Sequence, residues 1–76
     1  MTVHVKLMGV LRSKLPGGKA DLQVDEQSTV ESVLSQLELS QGQIHLVMLN
    51  GEAVKEVKKA LHDGDELTIF PPVAGG

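Results

Sequence analysis

The residues of this chain best suited to chemistry stand at its end. Gly75 and Gly76 follow Pro71-Pro72-Val73-Ala74, so a proline pair stiffens the exit from the last element and two residues without a Cβ complete it. Fully extended, Pro71 to Gly76 reach at most ~20 Å, about the depth of a cleft in another protein. A backbone stripped of side chains enters a channel that excludes larger residues, and it leaves the α-carboxylate of Gly76 free to attack the α-phosphate of a nucleotide. The acyl-adenylate so formed is an electrophile for a sulfur or an amine. On this reading the chain is a substrate and carrier: Gly76 is the modified residue and no side chain is catalytic.

Other chemistry finds little support. His4, His45 and His62 are far apart in sequence, and none forms the i, i+4 pair of a helical metal site. Asp63-Gly64-Asp65-Glu66 lacks the long alternating ligand series of a calcium loop and is better read as a turn entering a strand. Lys55, Lys58 and Lys59 form a small basic face that solvation alone explains. Pro16-Gly17-Gly18 precedes a strand pattern rather than a helix, so it does not cradle phosphate. Without cysteine there is no thiol nucleophile and no zinc-thiolate site, which fits a reducing cytoplasm, the expected location.

Charge and composition narrow the partners. Seven Lys+Arg against ten Asp+Glu give a net charge of −3, and Phe70 is the one aromatic residue, so neither a phosphate-binding stripe nor a base-stacking platform is present. Nucleic acid is therefore not an expected partner. Neither is a membrane: no apolar run approaches the ~20 residues of a span, and Met1 to Lys6 do not form a signal-peptide core.

The elements that must hold the tail fit one small domain of 76 residues. Val3, Val5 and Leu7 alternate with polar residues as a first strand; Leu15 to Lys19 turn the chain, and Ala20, Leu22 and Val24 return it as a hairpin. Ser28 and Glu31 have the spacing of a capping box, and Val30, Val33, Leu34 and Leu37 line one face of a helix over Thr29 to Glu38. Ile44 to Leu49 is a third strand ending in the turn dipeptide Asn50-Gly51. Val54 to Leu61 reads as a short helical or irregular segment. Leu67 and Ile69 mark a last strand that stops at Pro71-Pro72. The sum is an α+β domain over residues 1–70, one helix across a mixed sheet, with residues 71–76 as a mobile tail.

The element order and the ending Asp63-Gly64-Asp65-Glu66-Leu67-Thr68-Ile69-Phe70-Pro71-Pro72-Val73-Ala74-Gly75-Gly76 resemble the MoaD/ThiS ubiquitin-like sulfur carriers. The Phe-Pro-Pro-Val-x-Gly-Gly closing is most similar to the small subunit of molybdopterin synthase. At Met8-Gly9-Val10-Leu11-Arg12-Ser13 the chain departs from the family, which has an aromatic where Met8 stands and an acidic residue where Ser13 stands. The resemblance implies a β-grasp fold with four to five strands. It also implies a cycle in which an E1-like adenylating enzyme uses ATP and magnesium to activate Gly76. A terminal thiocarboxylate follows, and the large synthase subunit receives the tail, converting a cyclic pyranopterin monophosphate into the dithiolene of molybdopterin. The carrier itself binds no cofactor and catalyses nothing alone.

In a grasp-type sheet the first and last strands are neighbours. Alternation then puts Leu67 and Ile69 in the core and Phe70 on the opposite face, with Met8 beside it and Met48 extending the patch, a partner-binding surface at the base of the tail. The competing reading makes Phe70 an ordinary core residue. Three other functions stay open at this level: a carrier for a different sulfurated product (a tungsten cofactor, thiamin or an amino acid), a modifier joined through Gly76 to lysines, and a plain interaction domain.

Overall fold

The structure, a computed structural model, describes residues 1–73, which form a five-stranded mixed sheet with one helix across it. The strands are β1 (Thr2–Leu7), β2 (Lys19–Gln23), β3 (Leu46–Leu49), β4 (Glu52–Ala53) and β5 (Glu66–Phe70), in the spatial order β2-β1-β5-β3-β4. The central pair β1/β5 is parallel and the other pairs are antiparallel. Period-two alternation sends Val3, Val5, Leu7, Val47, Leu49, Leu67 and Ile69 to one face, where they are buried under the helix α1 (Val30–Gln36) through Val30, Val33 and Leu34. Leu11, Leu39 and Leu61, from the connections, close the edges of this core.

The helix is shorter than its apolar spacing predicts, and its cap lies one residue later. Thr29, not Ser28, is the N-cap: Ser32 N–H donates to Thr29 Oγ1 at 3.2 Å, and Thr29 N–H donates to Ser32 Oγ at 2.9 Å. Ser28 is diverted, its hydroxyl donating to Asp25 and its carbonyl accepting from Leu61 N–H. Val30 and Glu31 N–H donate to the carbonyls of Lys59 and Val57, so the irregular segment after β4 satisfies the first turn of the helix. At the other end Leu39 N–H reaches Leu34 C=O and Glu38 N–H reaches Ser35 C=O, with Glu38 at φ +59°. This is a Schellman stop completed by the buried pair Leu34 and Leu39.

Three connections differ from expectation. Between β1 and β2 the chain makes two 3-10 turns, Gly9–Lys14 and Pro16–Gly18, because Leu11 must reach the core before the chain returns. The third strand begins at Leu46 rather than Ile44, after a 3-10 turn at Gln41–Gln43. Asn50-Gly51, both at positive φ, form the two-residue turn of a β3/β4 hairpin whose second strand is too short to show a periodicity. Val54 to Leu61 takes the irregular form of the two expected, anchored by Leu61 and by a bridge between Thr29 and Ala60.

The acidic run before β5 is a clasp. Asp65 accepts from Asn50 Nδ2 at 2.9 Å and from His62 N–H at 2.7 Å, while Asn50 Oδ1 accepts from Glu66 N–H at 2.9 Å. Partial burial of Asp65 opposes ionisation, but the two hydrogen bonds prevail and hold its carboxyl below the ordinary value. A carboxyl depressed in the folded state stabilises above its unfolded pKa, and that contribution is lost as pH falls through the folded value. Asp65→Asn is therefore expected to lower the melting temperature at pH 7, with the gap to the parent narrowing below about pH 4. A gap that stays constant in thermal scans between pH 7 and pH 3 would count against the clasp.

Candidate functional site

The tail leaves the sheet from a root held on both sides. Met8 N–H donates to Ile69 C=O at 3.0 Å and His45 N–H donates to Phe70 C=O at 2.8 Å, the last rung before Pro71, which has no N–H to continue the ladder. Pro71 is half-buried and its ring lies on Gly9: a Cβ at Gly9 would stand 2.9 Å from Pro71 Cγ and 3.4 Å from Cδ. Pro72 and Val73 are exposed, Val73 at 78%. Ala74, Gly75 and Gly76, the residues on which the carrier reading turns, lie outside the described residues.

The face of the sheet opposite α1 carries no covering element among the described residues, and its composition is graded. At the tail end Phe70 pairs directly with Leu46, and Met48 sits one step along β3 on the same face, opposite Thr68. Met8 continues β1 beyond Leu7, the partner of Ile69, and its extended backbone turns it to the same side as Phe70. All four side chains are half-buried. Away from the tail the face becomes polar: His4, Lys6, Lys19, Asp21, Glu66 and Thr68 line a shallow groove of about 480 Å³.

In that groove His4 Nδ1 and Asp21 Oδ1 are 2.7 Å apart across β1 and β2. The hydrogen bond to Asp21 raises the His4 pKa above 6.5, with Glu66 and Asp63 adding a smaller negative field. The pairing strengthens below that raised value and is lost as pH rises through it. An NMR titration is expected to place His4 above 6.5 and to return it toward that value in Asp21→Asn; an unchanged midpoint in the variant would remove Asp21 as the cause.

Phe70, Met8 and Met48 thus share one face, Phe70 and Met8 at the root of the tail and Met48 one pair further along β3. Two participants escape a reading of the sequence. Leu46 is the direct cross-strand neighbour of Phe70, and its parity with Met48 is the signal that locates it once the strand is known to start there. Gly9 lies beneath Pro71, a contact that only the parallel register of β1 and β5 creates. The lysines at 55, 58 and 59 are exposed, as are His4, His45 and His62. Among the described residues no group of three or more His, Cys, Asp or Glu side chains is arranged to hold a metal ion, and no helix is long and apolar enough to cross a membrane.

A helix across a five-stranded mixed sheet, with a proline-stiffened exit from a central strand, is the ubiquitin-like β-grasp. The chain belongs to the ThiS family, whose family model matches residues 5–76. It is therefore a member of the ubiquitin-like group of sulfur carriers and modifiers. Among solved structures, the HVO 2177 protein of Haloferax volcanii is 30% identical with a TM-score of 0.83, the match covering 100% of this chain and 87% of that one. SAMP1 of the same organism is 28% identical with a TM-score of 0.76 and full coverage of both chains. A chain from the complex of subunits 1 and 2 of the molybdopterin-converting factor of Helicobacter pylori is 21% identical with a TM-score of 0.64, again with 100% of both covered, a likeness of fold alone. A search of the curated proteins returns no match.

Proposed function

We propose that this chain is a sulfur carrier whose Gly76 carboxylate is converted to a thiocarboxylate, and that it serves as the small subunit of a molybdopterin synthase. The observation that supports the reading is that the segment ending in Gly75-Gly76 leaves β5 at Phe70, beside the apolar part of the open sheet face around Leu46. In the first step a Gly76 carboxylate oxygen attacks the α-phosphate of ATP and pyrophosphate leaves, with magnesium and the active site supplied by an E1-like enzyme. In the second, a sulfur nucleophile at the oxidation level of sulfide attacks the acyl carbon and AMP leaves. The folded domain contributes recognition and aim, and the large synthase subunit contributes the chemistry on the pterin. The absence of cysteine suits such a carrier, since a neighbouring thiol would attack the acyl-adenylate or exchange with the product.

Calorimetry and size-exclusion with a synthase large subunit test this assignment: a stable complex, lost on masking the Phe70 face, is expected. Failure to bind, alongside normal thiocarboxylate formation, would move the carrier to another sulfurated product. The resemblance to SAMP1, a small archaeal modifier protein by name, favours a second reading in which a lysine ε-amine displaces AMP and an isopeptide forms. Lys59 is the last lysine or arginine, so a tryptic digest of such conjugates would leave the branch Ala60 to Gly76 on the modified lysine. That branch is diagnostic of the modifier.

A further inference from the structure

The contact between Gly9 and Pro71 joins the end of β1 to the first residue of the tail. Gly9 stands at φ +56°, and the position its Cβ would occupy lies 2.9 Å from Pro71 Cγ, closer than real side chains come. Any L-residue there must push the proline ring away by about half an ångström or more before ordinary carbon contact is reached. Ring pucker moves Cγ and takes up part of this, but Cδ, 3.4 Å from the same position, is bonded to the backbone nitrogen, and the residue before the ring is tied by the His45 hydrogen bond to Phe70 C=O, so the remaining displacement passes into the direction of the chain beyond it. From Pro71 to Val73 an extended chain spans up to ~7 Å, so a tilt of ~20° at the proline moves Val73 by about 2 Å. Misplacement of ~1 Å at a reacting group is enough to cost a rate of the order of a hundredfold.

We infer that Gly9 is a positioning residue: its bare Cα is the seat that aims the Pro71-Pro72 segment, and so delivers the C-terminus to an activating site while Phe70, Met8, Leu46 and Met48 are docked. The inference rests on the carrier reading for its consequence, but its geometric half stands without it. Met8 and Gly9 divide the work, since Met8 faces the partner and Gly9 faces the tail.

The test is a double-mutant cycle read in two ways. Gly9→Asn adds a Cβ while tolerating positive φ, Gly9→Ala adds a Cβ with backbone strain, and Pro71→Ala removes the Cγ that either would strike. The chain has no cysteine, so spin labels on Val73→Cys and Gln36→Cys, the latter exposed at the end of α1, report the direction of the tail without interference. Both Gly9 variants are expected to shift or broaden the Val73–Gln36 distance distribution, and neither is expected to do so beyond the Pro71→Ala reference once combined with it. With an activating enzyme, the efficiency of thiocarboxylate formation is expected to fall by about tenfold or more in the Gly9 variants, chiefly in turnover rather than in KM, and by less than about twofold when Gly9→Asn is added to Pro71→Ala. An unchanged distance distribution overturns the inference, as does a loss of activity of the same size in both backgrounds, which is the mark of a merely structural glycine. If the parent chain forms no thiocarboxylate at all, it is the carrier reading that falls, and the distance measurement still decides whether Gly9 aims the tail.

Discussion

Deletion of Gly76, or the substitution Gly75→Ala, is expected to abolish or nearly abolish sulfur acceptance while leaving the melting temperature of the domain close to that of the parent. The two effects separate because they draw on different parts of the chain. Cooperative stability resides in the buried set from Val3 to Ile69, and Val73, the last described residue, is 78% exposed. Activation instead requires the α-carboxylate at a fixed place in a channel narrow enough to exclude water, and a single methyl on Gly75 adds a Cβ where a partner shaped for glycine has no room. Deletion leaves Gly75 as the terminus and withdraws the carboxylate by up to ~3.5 Å. Thermal scans beside single-turnover assays of both variants make the comparison. Loss of stability in step with activity would make the end a structural element and the carrier argument wrong.

Phe70→Ala is the second large effect, and its sense is set by the sheet's two faces. Phe70 is half-buried beside Leu46, whereas its neighbours Leu67 and Ile69 are fully buried under α1. Truncating Leu67 to Ala removes a side chain from a sealed core and is expected to cost ~2–5 kcal/mol, most of the stability of a domain this small. Truncating Phe70 is expected to cost the isolated domain less than the ~3 kcal/mol or more of a core Phe. A partner seated on the open face would bury the ring completely, among the flexible side chains of Met8 and Met48, and the same truncation is expected to weaken binding by ~2 kcal/mol or more. Denaturant titration of the free protein and calorimetry with the large subunit measure the two halves. An unfolded Phe70→Ala would make Phe70 a core residue, and a folded one with parental affinity would assign the patch no part in recognition.

What the sequence displays of this fold depends on whether a feature is written locally. The strands β1 and β5 are plain because Val3, Val5, Leu7, Leu67 and Ile69 keep strict alternation over a half-buried sheet, and this alternation also puts Phe70 on the open face. The cap of α1 is displaced from Ser28 to Thr29 because Leu61, more than thirty residues away, claims the Ser28 carbonyl. The spacing of Val54, Val57, Ala60 and Leu61 leaves helical and irregular forms open, and a distant partner decides between them: the carbonyls of Val57 and Lys59 are drawn to the N-terminus of α1, and the segment serves the helix rather than becoming one. Strand β4, at two residues, has no period to detect. In the candidate site the same division holds. The proline pair, the glycines and Phe70 announce themselves by type and position, while Leu46 and Gly9 acquire their roles from cross-strand register and from a parallel pairing that joins residues about sixty positions apart.

Intact-mass spectrometry decides whether Gly76 is the site of activation. Incubated with a cognate adenylating enzyme, ATP, magnesium and a sulfur donor, the chain is expected to gain the mass difference of one sulfur for one oxygen, localised by fragmentation to Gly76 and absent when ATP is omitted. An unchanged mass under conditions that convert another member of the ThiS family, or a sulfur localised elsewhere in the chain, would contradict it.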